Sequence, residues 1–132
     1  MEFRIDSASR VPIYRQLTTQ FREGVARGKL LPDQRLPSVR ELSRTLVVNP
    51  NTVAKAYTEL ERQGLLNTRP GLGVFVAHPK AEITQEVRRQ RLEQSADQFL
   101  IDAVHLGFSA ADAISSISER AAQFQWQPQR TG

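Results

Sequence analysis

The stretch that decides the fold is Val48-Asn-Pro-Asn-Thr-Val-Ala-Lys-Ala-Tyr-Thr-Glu-Leu60. It predicts a short amphipathic helix with a complete start signal. Asn49 can accept a hydrogen bond from a free first-turn amide, and Pro50 takes the first helical position, where its missing N–H costs no backbone bond. Val53, Ala56, Tyr57 and Leu60 recur at helical spacing and make one apolar face. Opposite them lie Asn51, Thr52 and Lys55, joined by the Asn49 side chain. A helix tip carrying such hydrogen-bonding groups is equipped to read base edges in a DNA major groove. Taken alone, the pattern fits a solvated surface helix equally well, so the neighbouring segments decide between the two.

Upstream, Glu2 to Arg10 reads as a short extended arm with Phe3 and Ile5 alternating between polar neighbours. Pro12 opens a helix in which Ile13, Leu17, Phe21 and Val25 form an apolar stripe. Gly28 ends it, with Arg27 and Lys29 beside the negative helix terminus. Pro32 and Pro37 bracket a turn and a very short strand around Arg35. Ser38-Val-Arg-Glu41 has capping-box spacing, with Ser38 capping the amide three residues on and Glu41 reaching back. Val39, Leu42 and Leu46 give this helix its buried side, and Arg40 stays outside at its positive end, where a phosphate can bind. About three residues then join it to the Asn49 helix, short enough to force a sharp angle and a helix-turn-helix.

Gly64 closes the Asn49 helix. Leu65-Leu-Asn-Thr-Arg69 and Val74-Phe-Val-Ala77 follow as two strands around Pro70-Gly-Leu-Gly73. The Pro-Gly pair marks a turn, and the glycines let the main chain approach a ligand. In a nucleic-acid binder this hairpin is the wing, with Arg69 at its base and Gly71 at its tip; otherwise it is a plain hairpin covering the core. The fold class expected is mainly α with a small β-hairpin, a winged helix-turn-helix over residues 1–79.

The strings Pro12-Ile-Tyr-Arg-Gln-Leu17, Leu36-Pro-Ser-Val-Arg-Glu-Leu42, Asn49-Pro-Asn-Thr-Val53, Gly64-Leu-Leu and Gly71-Leu-Gly-Val-Phe-Val76, in this order, resemble the GntR family of bacterial transcription regulators, and its YtrA subfamily in particular. The resemblance covers Pro12 to Ala77. It implies a homodimer that binds operator DNA through the winged helix, with a C-terminal domain for dimerisation and often for an effector. Carried over by position, it implies DNA contacts from Arg40 at the start of the second helix, from Asn49, Asn51, Thr52 and Lys55 in the major groove, and from Gly71 on the wing. Ser38 and Arg69 join this DNA-binding set. Many family members carry Arg where this chain has Pro50, so Lys55, Arg40 or Arg35 must supply any guanine contact the operator needs.

Beyond Pro79 the pattern is helical. Leu92, Ala96, Phe99, Ala103 and Leu106 form a heptad-like seam, Gly107 stops that helix, and Ser109 with Asp112 has the spacing of a new cap. Ala110, Ala113, Ile114, Ile117, Ala121 and Phe124 line the second helix. A hairpin of two helices with a two-residue break cannot bury both seams alone, which predicts dimerisation through Leu92, Ala96, Phe99, Ala103, Leu106, Ile114 and Ile117 over residues 80–126. The alternative is a seam packed back on the winged helix. Residues 127–132 are expected to be a disordered tail.

Charge agrees with this division. Residues 1–79 carry 12 Lys/Arg against 7 Asp/Glu, and residues 80–132 carry 6 against 7, so a polyanion partner suits the first part. With no cysteine, thiolate chemistry, disulfides and zinc-thiolate sites are excluded. The absence of an apolar run of about 18 residues or of a secretion signal makes the cytoplasm the expected location and a membrane partner unexpected. No cofactor is expected. His78 and His105 read as ordinary surface or helix-end histidines, and about 50 residues are too few for the aminotransferase-like domain of some relatives, so an enzyme is not expected. The competing readings are an adaptor whose winged helix binds protein, which calls for an apolar recognition surface, and a nucleoid-type binder, which calls for denser Lys/Arg.

Overall fold

The computed structural model describes residues 1–78 and 85–126. They form two compact units, one of residues 1–78 with 125 and 126, the other of residues 85–124. The first contains α1 (Ile13–Ala26), β1 (Arg35–Leu36), α2 (Val39–Leu46), α3 (Pro50–Arg62), β2 (Leu66–Arg69) and β3 (Gly73–Val76); the second contains α4 (Gln85–His105) and α5 (Ala110–Ala121). The domain boundary expected at residue 79 and the tail expected at 127–132 lie outside the described residues.

Each helix of the first unit contributes an apolar stripe to one core. Leu17 and Phe21 of α1, Leu42 of α2, and Val53, Ala56, Tyr57 and Leu60 of α3 are buried together with Leu30, Leu36, Leu66 and Val76. Ile13, Val25, Val39 and Leu46 are only partly buried at its margin. α3 packs on both α1 and α2 and touches β2, so its apolar face is fixed from three sides. Gly28, at φ +76, allows the turn after α1 in which Lys29 and Leu30 donate to the Gly24 carbonyl.

The N-terminal arm is held without forming a strand. The Gln20 and Gln16 side-chain amides each pair with main chain in both directions, Gln20 with Arg4 and Gln16 with Asp6. The spacing matches, since four helical residues rise about 6 Å and two extended residues about 6.6 Å. Phe3 and Ile5 thereby lie against the core.

The sheet is antiparallel in the order β1-β3-β2. Leu66 pairs with Val76 and Arg69 with Gly73, while Arg35 pairs with Phe75. β2 and β3 each begin one residue before or after the positions expected from sequence, with Leu65 and Ala77 outside the strands. The connection has the arrangement of a type II turn: Leu72 donates to the Arg69 carbonyl at 2.9 Å, Pro70 precedes, and Gly71 has φ +75.

In the second unit α5 is shorter than α4, 12 residues against 21. Ala103 and Ala113 are buried and Phe99, Ala121 and Phe124 half-buried, so small side chains let the two helices approach. Two expectations are corrected here. The break between the helices is residues 106–109, longer than two residues, and Leu106 lies beyond the end of α4 rather than on its seam. The chain needs those residues because Gly107, at φ +84, makes the reversal and Ser109 forms a reciprocal capping box with Asp112.

Candidate nucleic-acid interface

The start of α3 is built by its caps. The Asn49 side chain accepts the Asn51 amide hydrogen at 2.8 Å, and Pro50 occupies the first turn. Because the partner is a donor, the capping atom is the amide oxygen, which leaves the Asn49 NH2 free to donate. Asn49 therefore retains a donor for a purine N7 or a thymine O4, with its oxygen already engaged at the cap; Asn51, exposed, has both functions unengaged by the cap. Thr52 is half-exposed beside it. Val53, Ala56 and Leu60 are buried, and Tyr57 is anchored by its hydroxyl, which donates to the Pro37 carbonyl at 2.7 Å. Burial pushes the Tyr57 phenol up, with the Glu41 charge adding to the shift.

α2 sets the angle of α3. Ser38 accepts the Glu41 amide hydrogen at 3.1 Å. The Glu41 carboxylate makes no return bond, so the expected reciprocal box is only half formed. The turn after α2 places Val47 in the left-handed region at φ 54 and ψ 50, and leaves it 90 % exposed. Ser43, buried, donates its hydroxyl to the Val48 carbonyl and ties the turn down. No periodicity marks Ser43, which sits next to Leu42 on the buried side of α2.

The cations expected at the interface differ in how free they are. Arg35 and Arg40 are exposed with no acidic partner among the described residues, and so is Arg44, one turn beyond Arg40, which no cap or motif marks in the sequence. The Lys55 ammonium lies 4.0 Å from the centroid of the Tyr14 ring, turned toward α1. Arg69 is the most engaged: it stacks 4.3 Å from the centroid of the Phe75 ring and bonds Asp33 at 2.6 Å. Asp33 also meets His78 Nε2 at 2.6 Å, so His78 has an acidic neighbour that lies 45 residues away in sequence. The His78 and Arg69 hydrogen bonds hold the Asp33 carboxyl below its ordinary value. Gly71 is exposed at the wing tip, beside the exposed Leu72.

The residues expected to mediate dimerisation separate into two groups. Phe99 and Ala103 are wholly or partly covered within the hairpin, whereas Leu92, Ala96, Leu106, Ile114 and Ile117 are exposed. Leu100, Ile101 and Val104, outside the expected seam, add an exposed apolar patch between Asp97 and His105. Their signal in the sequence was a second apolar strip beside the seam.

Residues 13–76 match the model of the family described as bacterial regulatory proteins, gntR family. The chain is 38% identical to the HTH-type transcriptional repressor YtrA of Bacillus subtilis over 104 residues, covering 79% of this chain and 80% of that protein. The crystal structure of a protein described as a transcriptional antiterminator from Listeria monocytogenes is similar over 99% of this chain and 98% of that one, with 28% identity and a TM-score of 0.74. The DNA-binding domain of AraR, crystallised with operator ORX1, is similar over 58% of this chain and 96% of that one, with 34% identity and a TM-score of 0.51. No helix among the described residues is long and apolar enough to cross a membrane.

Proposed function

Because this chain belongs to the GntR family of bacterial regulatory proteins, we propose that it represses transcription by binding a palindromic operator as a homodimer. Family membership makes it a DNA-binding transcriptional regulator. The observation that carries the finer reading is the two-sidedness of α3: Val53, Ala56 and Leu60 are fully packed, while its capped start presents Asn49, Asn51 and Thr52 outward. That polar tip also speaks against an adaptor, which would need an apolar one.

In this reading α3 enters the major groove. Asn51 and Thr52 read base edges, and Asn49 donates through its free NH2, with discrimination of about 1–3 kcal/mol for each good bidentate contact. Arg40 and the Ser38 hydroxyl meet phosphate at the start of α2, and Lys55 leaves Tyr14 for DNA at a cost of about 0.5–1 kcal/mol, the usual worth of an exposed cation–π contact. Arg69 contributes less than its charge suggests, since Asp33 already neutralises it, and Gly71 brings main chain close to the backbone. Two copies joined through the exposed apolar strips of α4 and α5 place half-site centres about 10 bp apart or at a multiple of that spacing. The protein acts in the cytoplasm, without catalysis and without a cofactor.

Selection of bound duplexes from random DNA tests this directly. The expected result is an enriched inverted repeat whose affinity falls in Arg40→Ala and Lys55→Ala, with a shallower salt dependence in each. Enrichment of no sequence, or variants that bind as the wild type does across a salt titration, would overturn it.

A further inference from the structure

The outer face of the sheet carries a second feature that the recognition helix does not explain. By register, Arg35, Gly73, Phe75 and Arg69 share this face, the opposite one from buried Leu36, Leu66 and Val76. Two of these residues are arginines, and their surroundings differ. Arg69 is stacked on Phe75 and paired with Asp33. Arg35 has no acidic partner among the described residues. Its side chain lies across Gly73: a Cβ built on Gly73 would sit 3.1 Å from Arg35 Nε and 3.7 Å from Nη2. Gly73 also has φ +124, so this position calls for glycine on conformational grounds as well. The notch therefore seats an unpaired guanidinium against the main chain of the wing, two residues from Gly71 at its tip.

The tip itself is apolar at one point, with Leu72 64 % exposed. A narrow arm with an apolar end and a free guanidinium beside it matches the chemistry of minor-groove contact, in which Arg is drawn to the enhanced negative potential of narrow A·T tracts and apolar side chains lie against the groove walls. We infer that Arg35, positioned by Gly73, is the cation with which the wing reads the minor groove flanking the α3 site, favouring A·T pairs there, and that Arg69 holds the wing together instead. This rests on the DNA-binding reading above and extends it, because it moves Arg35 from a guanine contact in the major groove to the recognition of groove width.

The test uses the full chain and the duplex that the wild type selects, with flanks rebuilt from A·T, I·C or G·C pairs. Inosine-cytosine resembles A·T in the minor groove and G·C in the major groove. The wild type is expected to bind A·T and I·C flanks alike and G·C flanks about tenfold more weakly, a discrimination typical of one base-pair change. Arg35→Ala should lose that preference and reduce the salt slope by about 1. Gly73→Ala should weaken it in the wild type and change nothing further in Arg35→Ala; if thermal melting shows Gly73→Ala unfolded, the Arg35→Ala comparison decides alone. Retained preference in Arg35→Ala, or I·C flanks behaving as G·C, would overturn the inference while leaving DNA binding intact. A selection that enriches no duplex would sink the DNA reading itself, and this inference with it.

Discussion

Val47 offers a measurement of what it costs to aim α3. It is a β-branched residue in the left-handed region, φ 54 and ψ 50, at the corner of the helix-turn-helix. For an L-residue that conformation costs about 1–2 kcal/mol, more often tolerated in Gly or Asn. At 90 % exposure the side chain recovers almost nothing by packing. Val47→Asn should therefore recover roughly 1 kcal/mol. Val47→Gly relieves the same strain but loses about 0.5–1 kcal/mol to backbone entropy, so it should fall between Asn and the wild type. In a unit of this size 1 kcal/mol shifts the melting midpoint by about 4–8 °C. Thermal unfolding followed by circular dichroism would rank the three as Asn above Gly above or level with Val. Should Val47→Asn melt at or below the wild type, the corner is not strained, and some contact of Val47 must hold it there.

Tyr57→Phe removes the hydroxyl that donates to the Pro37 carbonyl at 2.7 Å; it should cost about 1–2 kcal/mol and lower the melting midpoint, because it leaves a partly covered carbonyl unpaired. Asp33 has a depressed carboxyl pKa in the folded chain, so its bonds to His78 and Arg69 contribute above its ordinary value of 3.8 and are lost as pH falls through the lower folded value. The difference in melting midpoint between wild type and Asp33→Asn should accordingly hold near neutrality and shrink below pH 3.8; a difference that is constant with pH would show the carboxylate to be idle. Ile101→Glu, on the exposed patch of α4, should convert dimer to monomer in light scattering with the helical signal unchanged, whereas Phe99→Glu, half-buried inside the hairpin, should also lower that signal.

The elements were legible in the sequence because their causes are local. Asn49 with Pro50, Ser38, Gly28 and the Pro70-Gly71 turn each act within a few residues, and four apolar residues at helical spacing mark the buried face of α3 without reference to anything distant. The state of the interface side chains was not legible. Asp33 meets Arg69 across 36 residues and His78 across 45, and Lys55 finds Tyr14 on another helix. Such pairings depend on which faces the fold brings together, and no period encodes them. The same limit explains the C-terminal hairpin, where a heptad-like count joined Phe99, Ala103 and Leu106 in one seam although Gly107 needed Leu106 for the reversal.

These pairings bear on why the protein should work as a dimer. Around α2, α3 and the wing, Arg35, Arg40 and Arg44 have no acidic partner among the described residues, Lys55 is only lightly held, and Arg69 is neutralised. If each of these four cations neutralised one phosphate charge, a single subunit would have a salt slope of about −3.6. Pro50 deepens the shortage, since it stands where an arginine would add both a charge and a guanine contact. Doubling the surface doubles the slope to about −7 and converts the second contact into an intramolecular event at high effective concentration. In the proposed dimer the exposed apolar strips of α4 and α5 would then have a physical purpose. They would compensate for a recognition surface that is rich in hydrogen-bonding groups and poor in free charge.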